Sequence, residues 1–184
     1  LGIVGTYTTD GLGASIHKDL RTNYPPKVIF PNVMGISYPQ NYYESAVTDK
    51  DTQQVQYTVH SYYSNGVPRT IYEVFTSSDT AVEVAHGETV AHASAIDRFP
   101  LMTVTRESRM ADNTNEDYSY VVACGSTEFL SNKLLQKNTY GNTDVMLSTL
   151  RAIGREVTAV DIDHKPFAST EIANITVSQA NNWT

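Results

Sequence analysis

The first half of the chain alternates apolar and polar residues with the period of β-strands. Val55, Tyr57 and Val59 alternate with polar residues, a spacing of two that places one face of a strand against a core. The Ser64-Asn65-Gly66 triplet predicts a tight turn, and the polar stretch 110–117 predicts an exposed loop. Three shorter apolar runs predict further strands: residues 27–30, 71–75 and 99–105.

The pattern changes after residue 117. Residues 118–124 form an almost continuous apolar run, which is typical of a central strand covered on both faces. Ser126 then predicts the N-cap of a helix, with Glu128 in its first turn near the positive end of the helix dipole. Leu130 and Leu134 are spaced as an i, i+4 pair, so both are expected to be buried.

A second helix is predicted, with Asn142 as its N-cap, Asp144 in its first turn and a stop at Gly154. Its apolar stripe consists of Met146, Leu147, Leu150 and Ile153. Residues 157–162 alternate again and predict a returning strand. The order strand, helix, helix, strand predicts an α/β fold, in which a layered sheet carries flanking helices. A single domain over residues 1–184, with a β-rich N-terminal part, is expected.

Composition and charge narrow the function classes. The 184 residues are 40% hydrophobic, which suffices for one core, and carry a formal net charge of −7. Nucleic-acid binding needs clustered Lys and Arg, so no nucleic-acid partner is expected. The single cysteine excludes an internal disulfide and a Cys-rich zinc site. The five histidines show no i, i+4 pair, so no metal site and no cofactor are predicted: His17, His60, His86, His92 and His164.

Cys124 is a candidate nucleophile because it ends a predicted strand, where hydrolase-like folds place one. His86 and Glu88 form a His-x-Glu pair, in which the carboxylate could orient and polarise a catalytic imidazole. However, a nucleophile elbow needs small residues two positions before and two after the nucleophile, and Val122 and Ser126 stand there. We therefore interpret Cys124 as a buried structural thiol and predict no catalytic residue.

Ligands of open α/β sheets bind at the carboxyl ends of the strands. The candidate ligand-binding residues are those that follow predicted strands or begin predicted helices: Ser77, Ser78, Asp79, Ser126, Thr127, Glu128 and Asn142. Each of them also has an explanation as a helix cap or turn residue.

The motifs of the second half occur in a specific order. Residues 120–132 read YVVACGSTEFLSN, residues 141–144 read GNTD before an apolar helix, and residues 154–156 read GRE. Upstream, residues 75–81 read FTSSDTA and residues 99–101 read FPL. In this order, over residues 68–170, the chain resembles the extracytoplasmic domain of GldG-like ABC-transport auxiliary proteins.

The resemblance implies a fold similar to class I glutamine amidotransferases, which is flavodoxin-like, but without catalysis. It divides the chain into an irregular β-rich part (1–67), a family-like core (68–170) and a membrane-proximal tail (171–184), and the first part suggests that only part of the domain is present. It also implies a place on the extracytoplasmic face of the bacterial cell membrane, beside an ABC permease and ATPase. The tail resembles one that enters the membrane, with Trp183 at the interface. The chain is thus expected to be a piece of a membrane-anchored protein.

Three functions follow from these expectations. The leading hypothesis is a non-enzymatic module of an ABC-type transport system that provides protein contacts or substrate capture. The alternative is a small-molecule or glycan-binding module, because 12 Tyr accompany abundant Asn and Thr. The third is an enzyme that uses Cys124. The positions of five tyrosines test the alternative, since a binding module would place them on one concave surface. We expect them instead to scatter into the core. The five residues are Tyr38, Tyr42, Tyr43, Tyr62 and Tyr63.

Overall fold

A computed structural model of the chain describes residues 2–18, 20, 25–84, 87–88, 98–111, 116–137 and 139–154. Of these residues, 43% are in strands and 17% are in helices. All of them lie within the unit Leu1–Gly154. The predicted strand at 157–162 and the tail at 171–184 lie outside the described residues.

The elements follow one another mostly as hairpins. In chain order they are β1 (Gly2–Val4), β2 (Thr6–Tyr7), α1 (Gly11–His17), β3 (Ile29–Pro31), β4 (Tyr43–Thr48), β5 (Val55–Ser64), β6 (Val67–Thr76), β7 (Pro100–Met110), β8 (Glu116–Cys124), α2 (Asn132–Leu135) and α3 (Asn142–Ile153). The predicted strands at 55–62, 71–75 and 99–105 are confirmed within β5, β6 and β7. The run at 27–30 is confirmed in part, as β3, while the ends of the predicted 110–117 loop belong to β7 and β8.

Six strands form one antiparallel sheet with the order β4-β5-β6-β7-β8, and β2 pairs with β6 beside that path. Strands β1 and β3 form a separate two-stranded sheet. The predicted turn joins β5 to β6, with φ of 53° at Asn65 and 76° at Gly66. Positive φ at both central positions matches the twist of a two-residue hairpin, which is why Asn-Gly is favoured there.

The core lies on one face of the large sheet. Residues that share that face by strand alternation, such as Val74, Val104 and Val122, pack against side chains of the helices and of β3. Helix α1 contributes Ile16 and α3 contributes Val145, both fully buried. The helices therefore form a layer on one side of the sheet.

The predicted α/β fold is wrong, and so is the amidotransferase-like or flavodoxin-like fold that the resemblance implied. Every pairing between the named strands is antiparallel. A flavodoxin-like sheet is parallel and needs a crossover helix between neighbouring strands, whereas β4 to β8 follow one another in sheet order. With helices on one face of an antiparallel sheet, the described part has an α+β architecture.

The predicted central strand is an edge strand. Among the described strands, β8 pairs only with β7, and Val121 is 65% exposed. Tyr120 and Val122 point to the core face, so the apolar run combines one buried face with apolar residues on the open face.

The helix predicted after Ser126 is displaced. Residues 127–130 form a turn, and α2 begins only at Asn132. Leu134 is buried as expected, but Leu130 is 45% exposed, so the predicted buried pair is wrong. Ser126 does not cap a helix; its hydroxyl donates a hydrogen bond to the Pro31 carbonyl.

Helix α3 is confirmed, but its buried face is rotated from the predicted stripe. The predicted N-cap at Asn142 is wrong by one residue, because Gly141 is the N-cap and Asn142 is the first helical residue. Leu147 and Leu150 are exposed. The buried residues of the helix are Asn142, Val145, Ser148 and Thr149.

Candidate functional site

A fork in the large sheet opens a cleft. The β5–β6 ladder runs from Ser64↔Val67 to His60↔Ile71 and ends there. Strand β5 continues to Val55 as a partner of β4, while β6 continues to Thr76 as a partner of β2 and β7. The two strands therefore separate beyond His60 and Ile71.

The fork cleft has a volume of about 130 Å³. Because successive strand residues point to opposite faces, the separated strands contribute side chains from both faces of the sheet. The lining residues come from the β2–α1 segment, from β5 and from β6: Thr8, Asp10, Gly11, Tyr57, Thr58, Val59, His60, Ile71, Tyr72 and Glu73.

The segment before α1 occupies the side of the fork next to β6. The Thr8 hydroxyl donates to the carbonyls of Glu73 (2.9 Å) and Val74 (3.1 Å). Gly11 has a φ of +57°, and an added Cβ would lie 3.0 Å from Tyr57 Cε2 and 3.4 Å from Tyr72 Cδ1. Glycine is required here because the backbone adopts a left-handed conformation against two tyrosine rings.

An aromatic cluster adjoins the cleft at His60. The Tyr38 and His60 ring centroids are 4.3 Å apart at 31°, and the Tyr42 ring meets His60 at 5.2 Å and 79°. The Tyr38 hydroxyl donates a hydrogen bond to Glu73 Oε1. Burial, with that bond and the Glu73 charge, raises the pKa of Tyr38. The cluster therefore fixes one oxygen of the Glu73 carboxylate at the cleft.

The cleft is acidic. Asp10 and Glu73 line it together with His60, and its lining contains no Lys or Arg. The guanidinium of Arg106 lies 5.5 Å from the ring centroid of Tyr72, a lining residue, and 5.0 Å from that of Tyr118. Burial raises the pKa of Tyr72, and Arg106 opposes that shift.

The five tyrosines do not scatter into the core, so that expectation is wrong, and they do not share one surface either. Tyr38 and Tyr42 join His60 beside the cleft. Tyr43 and Tyr63 form an exposed stacked pair with centroids 6.1 Å apart. Tyr62 lies beneath Arg69 at 5.8 Å.

The candidates after β6 make local hydrogen bonds. Ser77 is buried, and its Oγ accepts from the Phe99 amide at 2.9 Å and donates to the Ser78 carbonyl at 3.0 Å. The Ser78 and Thr80 hydroxyls are 3.1 Å apart, and Asp79 is exposed. This group holds the turn after β6.

The candidates in the second half hold β3 and the residues after it. Ser126 donates to Pro31, and Glu128 Oε1 accepts from Asn32 Nδ2 at 2.6 Å. Thr127 is exposed. Asn142 is fully buried and bonds both backbone groups of Ile29. No hydrogen bond between described residues joins this group to Ser77, Ser78 or Asp79, and a ligand-binding role for all seven stays a prediction.

Cys124 is exposed at the end of β8, so its interpretation as a buried thiol is wrong. Its Sγ lies 3.6 Å from the Ser126 carbonyl oxygen, and desolvation raises the pKa of the thiol. His86 lies outside the described residues, so the proposed pair with Glu88 is not placed. Within the described ranges, no group of three or more His, Cys, Asp or Glu side chains is arranged to hold a metal ion.

We expect Cys124 to react slowly with iodoacetamide at neutral pH. The thiolate is the reacting species, and a raised pKa lowers its fraction below that of a free thiol. The rate, followed by mass spectrometry beside N-acetylcysteine, should be lower for the protein and should keep rising above a pH of about 8.5. A rate above that of the free thiol would instead indicate an activated nucleophile.

The fork cleft was not predicted from the sequence patterns. Asp10, Gly11 and Glu73 belong to segments without a recognisable motif, and Tyr57 and Tyr72 followed an ordinary strand pattern. The cleft depends on the pairing of β2 with β6 in place of β5, a contact between distant parts of the chain. A Gly at a Thr-Thr-Asp-Gly turn before a helix was the one local signal that could have drawn attention to this segment.

In comparisons with known proteins, no family model matches the chain, and neither a curated protein nor a solved structure matches it significantly. In the described part of the chain, no helix is long and apolar enough to cross a membrane.

Proposed function

We propose that this protein is a non-enzymatic module that captures a small molecule in the fork cleft. The observation that carries the proposal is the convergence of two tyrosine rings, two carboxyl groups and an imidazole on one concave site. Binding sites combine apolar and aromatic walls with a few polar groups that orient the ligand, and this lining has both.

The size of the cleft limits what it accepts. Its volume of about 130 Å³ is below the ~300–1,000 Å³ typical of sites for drug-sized ligands. A small metabolite, or one end of a larger molecule such as a glycan, fits this space.

The chemistry of the site favours binding over catalysis. The Tyr38 hydroxyl already donates to Glu73, and the raised pKa of Tyr38 keeps it protonated at neutral pH. A protonated tyrosine that is engaged with its neighbour is a poor nucleophile and a poor base. It does fix the Glu73 carboxylate, which a binding site requires.

The cellular context belongs to the same proposal. The motif order at 120–132, 141–144 and 154–156 supports a substrate-capture role at the extracytoplasmic face of the membrane, beside an ABC permease and ATPase. The fold differs from the one that the resemblance implied, so this context rests on the motif order alone. Recovery of both subunits in fixed ratio after gentle detergent capture of the protein from its native membranes would support this context, while recovery of the protein alone would count against it.

A fragment screen by ¹H–¹⁵N NMR tests the capture function. Ligands are expected to shift the amide signals of Gly11, Tyr57 and Glu73. Tyr57→Leu should weaken binding about fivefold, because a buried aromatic contact contributes roughly 1 kcal/mol beyond its area.

The matched control is Tyr63→Leu. Tyr63 lies on the same strand and the same face as Tyr57, but it is 57% exposed and outside the cleft. Equal losses in the two variants, or shifts confined to residues away from the cleft, would refute the proposed site.

A further inference from the structure

We infer that the fork cleft selects small molecules that carry an ammonium group, either a protonated amine or a quaternary nitrogen. The inference rests on the proposed capture function and names its ligand class. It is argued from the carboxylates, the aromatic rings and the cations of the described sheet.

The charge of the cleft favours a cationic ligand. Asp10 is exposed at the cleft and Glu73 is half-buried in it, and no Lys or Arg lines it. Among described residues, Glu73 Oε1 accepts the Tyr38 hydroxyl, whereas Oε2 has no hydrogen-bond partner. A ligand cation would compensate these carboxylates, an anionic ligand would be repelled, and a neutral one would leave their charge in place.

Tyrosine rings of this sheet lie close to arginine side chains. Tyr62 and Tyr118 each lie near an arginine of the chain, at 5.8 and 5.0 Å from ring centroid to guanidinium carbon, and Arg106 also lies 5.5 Å from Tyr72. Such distances are those of cation–π contacts. Within the described residues, no cation lies over Tyr57, the ring that faces the cleft opposite Gly11. The Tyr57 ring is therefore open to a cation–π contact with a ligand ammonium group.

The electrostatic field of the whole chain also favours a cationic ligand. A formal net charge of −7 attracts cations toward the surface and disfavours the approach of anions. The local and overall charges thus favour the same ligand class.

Choline and 3,3-dimethylbutan-1-ol provide the test, because they share a shape and differ in the replacement of the charged nitrogen by carbon. Each is titrated into the protein while amide shifts at Gly11, Tyr57 and Glu73 are followed by ¹H–¹⁵N NMR. We expect choline to bind about tenfold more tightly than the alcohol.

Glu73→Gln should remove most of that preference by weakening the binding of choline. Its amide oxygen can still accept the Tyr38 hydroxyl, so the aromatic cluster is expected to stay in place. The control Glu116→Gln makes the same change of charge on exposed β8, outside the cleft, and should retain the preference.

The outcomes separate the inference from the proposed function. Equal affinities for the two probes, or cleft binding by glucose without binding by choline, would overturn the ammonium selectivity and leave the capture function standing. A choline preference that survives Glu73→Gln would overturn the assignment of that preference to the Glu73 carboxylate. If neither these probes nor a wider fragment screen shifted the amide signals of the cleft, the ammonium selectivity and the capture function would both be refuted.

Discussion

Replacing Asn142 with alanine is expected to lower the free energy of unfolding by about 3 kcal/mol. The side chain is fully buried. Its Oδ1 accepts from the Ile29 amide at 3.1 Å, and its Nδ2 donates to the carbonyls of Ile29 at 2.8 Å and Phe129 at 3.1 Å. Alanine would leave three backbone groups without this partner, and each such loss costs about 1 kcal/mol or more.

Urea unfolding measures this effect as a lower midpoint at an unchanged slope. Thr143→Ala is the matched control, since Thr143 is the next residue of α3 and is exposed; it should change stability by less than about 0.5 kcal/mol. Asn142→Asp provides a second variant, because aspartate keeps the acceptor for the Ile29 amide but loses both donors. It should be destabilised as well, and wild-type stability in both Asn142 variants would contradict the anchoring role.

Helix α3 shows which features of a helix a sequence pattern can predict. Its bounds were predictable from the Gly-Asn-Thr-Asp start and the Gly154 stop, but its buried face was not. The helix buries Asn142 and Thr149, whose polar groups are satisfied within the protein: Thr149 Oγ1 donates to the Val145 carbonyl at 2.7 Å. Once polar residues can be buried in this way, apolar periodicity alone does not determine the orientation of a helix.

Strand β8 shows a different limit. Its apolar run predicted a strand correctly, but the position of that strand in the sheet depends on its neighbours. Parallel central strands and antiparallel edge strands can both carry Val and Tyr on two faces, and Val121 occupies the open face of β8. The predicted α/β topology followed from the order strand, helix, helix, strand, in which this run was interpreted as a central strand.

The fork cleft is the feature that local sequence patterns predict least. Local patterns located β5 and β6, and the Asn65-Gly66 turn joined them correctly. Nothing local indicates that their ladder ends at His60↔Ile71 while Thr6 and Tyr7 pair with the far end of β6. Non-local pairings of this kind are set by the balance of tertiary contacts.

Gly125→Ala is expected to destabilise the protein by about 3 kcal/mol and to weaken ligand capture in the cleft. Gly125 donates to the Leu101 carbonyl and accepts from the Met34 amide, each at 2.9 Å. An added Cβ would lie 2.0 Å from the Met34 carbonyl oxygen. Because that atom belongs to the backbone, the chain at Met34 must move, and this segment leads directly to Tyr38 and its contact with Glu73.

Thermal unfolding should show the loss as a decrease in Tm of about 10 °C, at roughly 2–4 °C per kcal/mol for a chain of this size. Thr127→Ala, an exposed change two residues away, should leave Tm near wild type. A stable Gly125→Ala protein with unaltered amide shifts at Tyr38 and Glu73 would show that the Met34 segment does not depend on Gly125. A lower Tm together with shifted amide signals at Tyr38 and Glu73 would instead show that Gly125, which follows β8, holds the loop that positions Tyr38 against the Glu73 carboxylate.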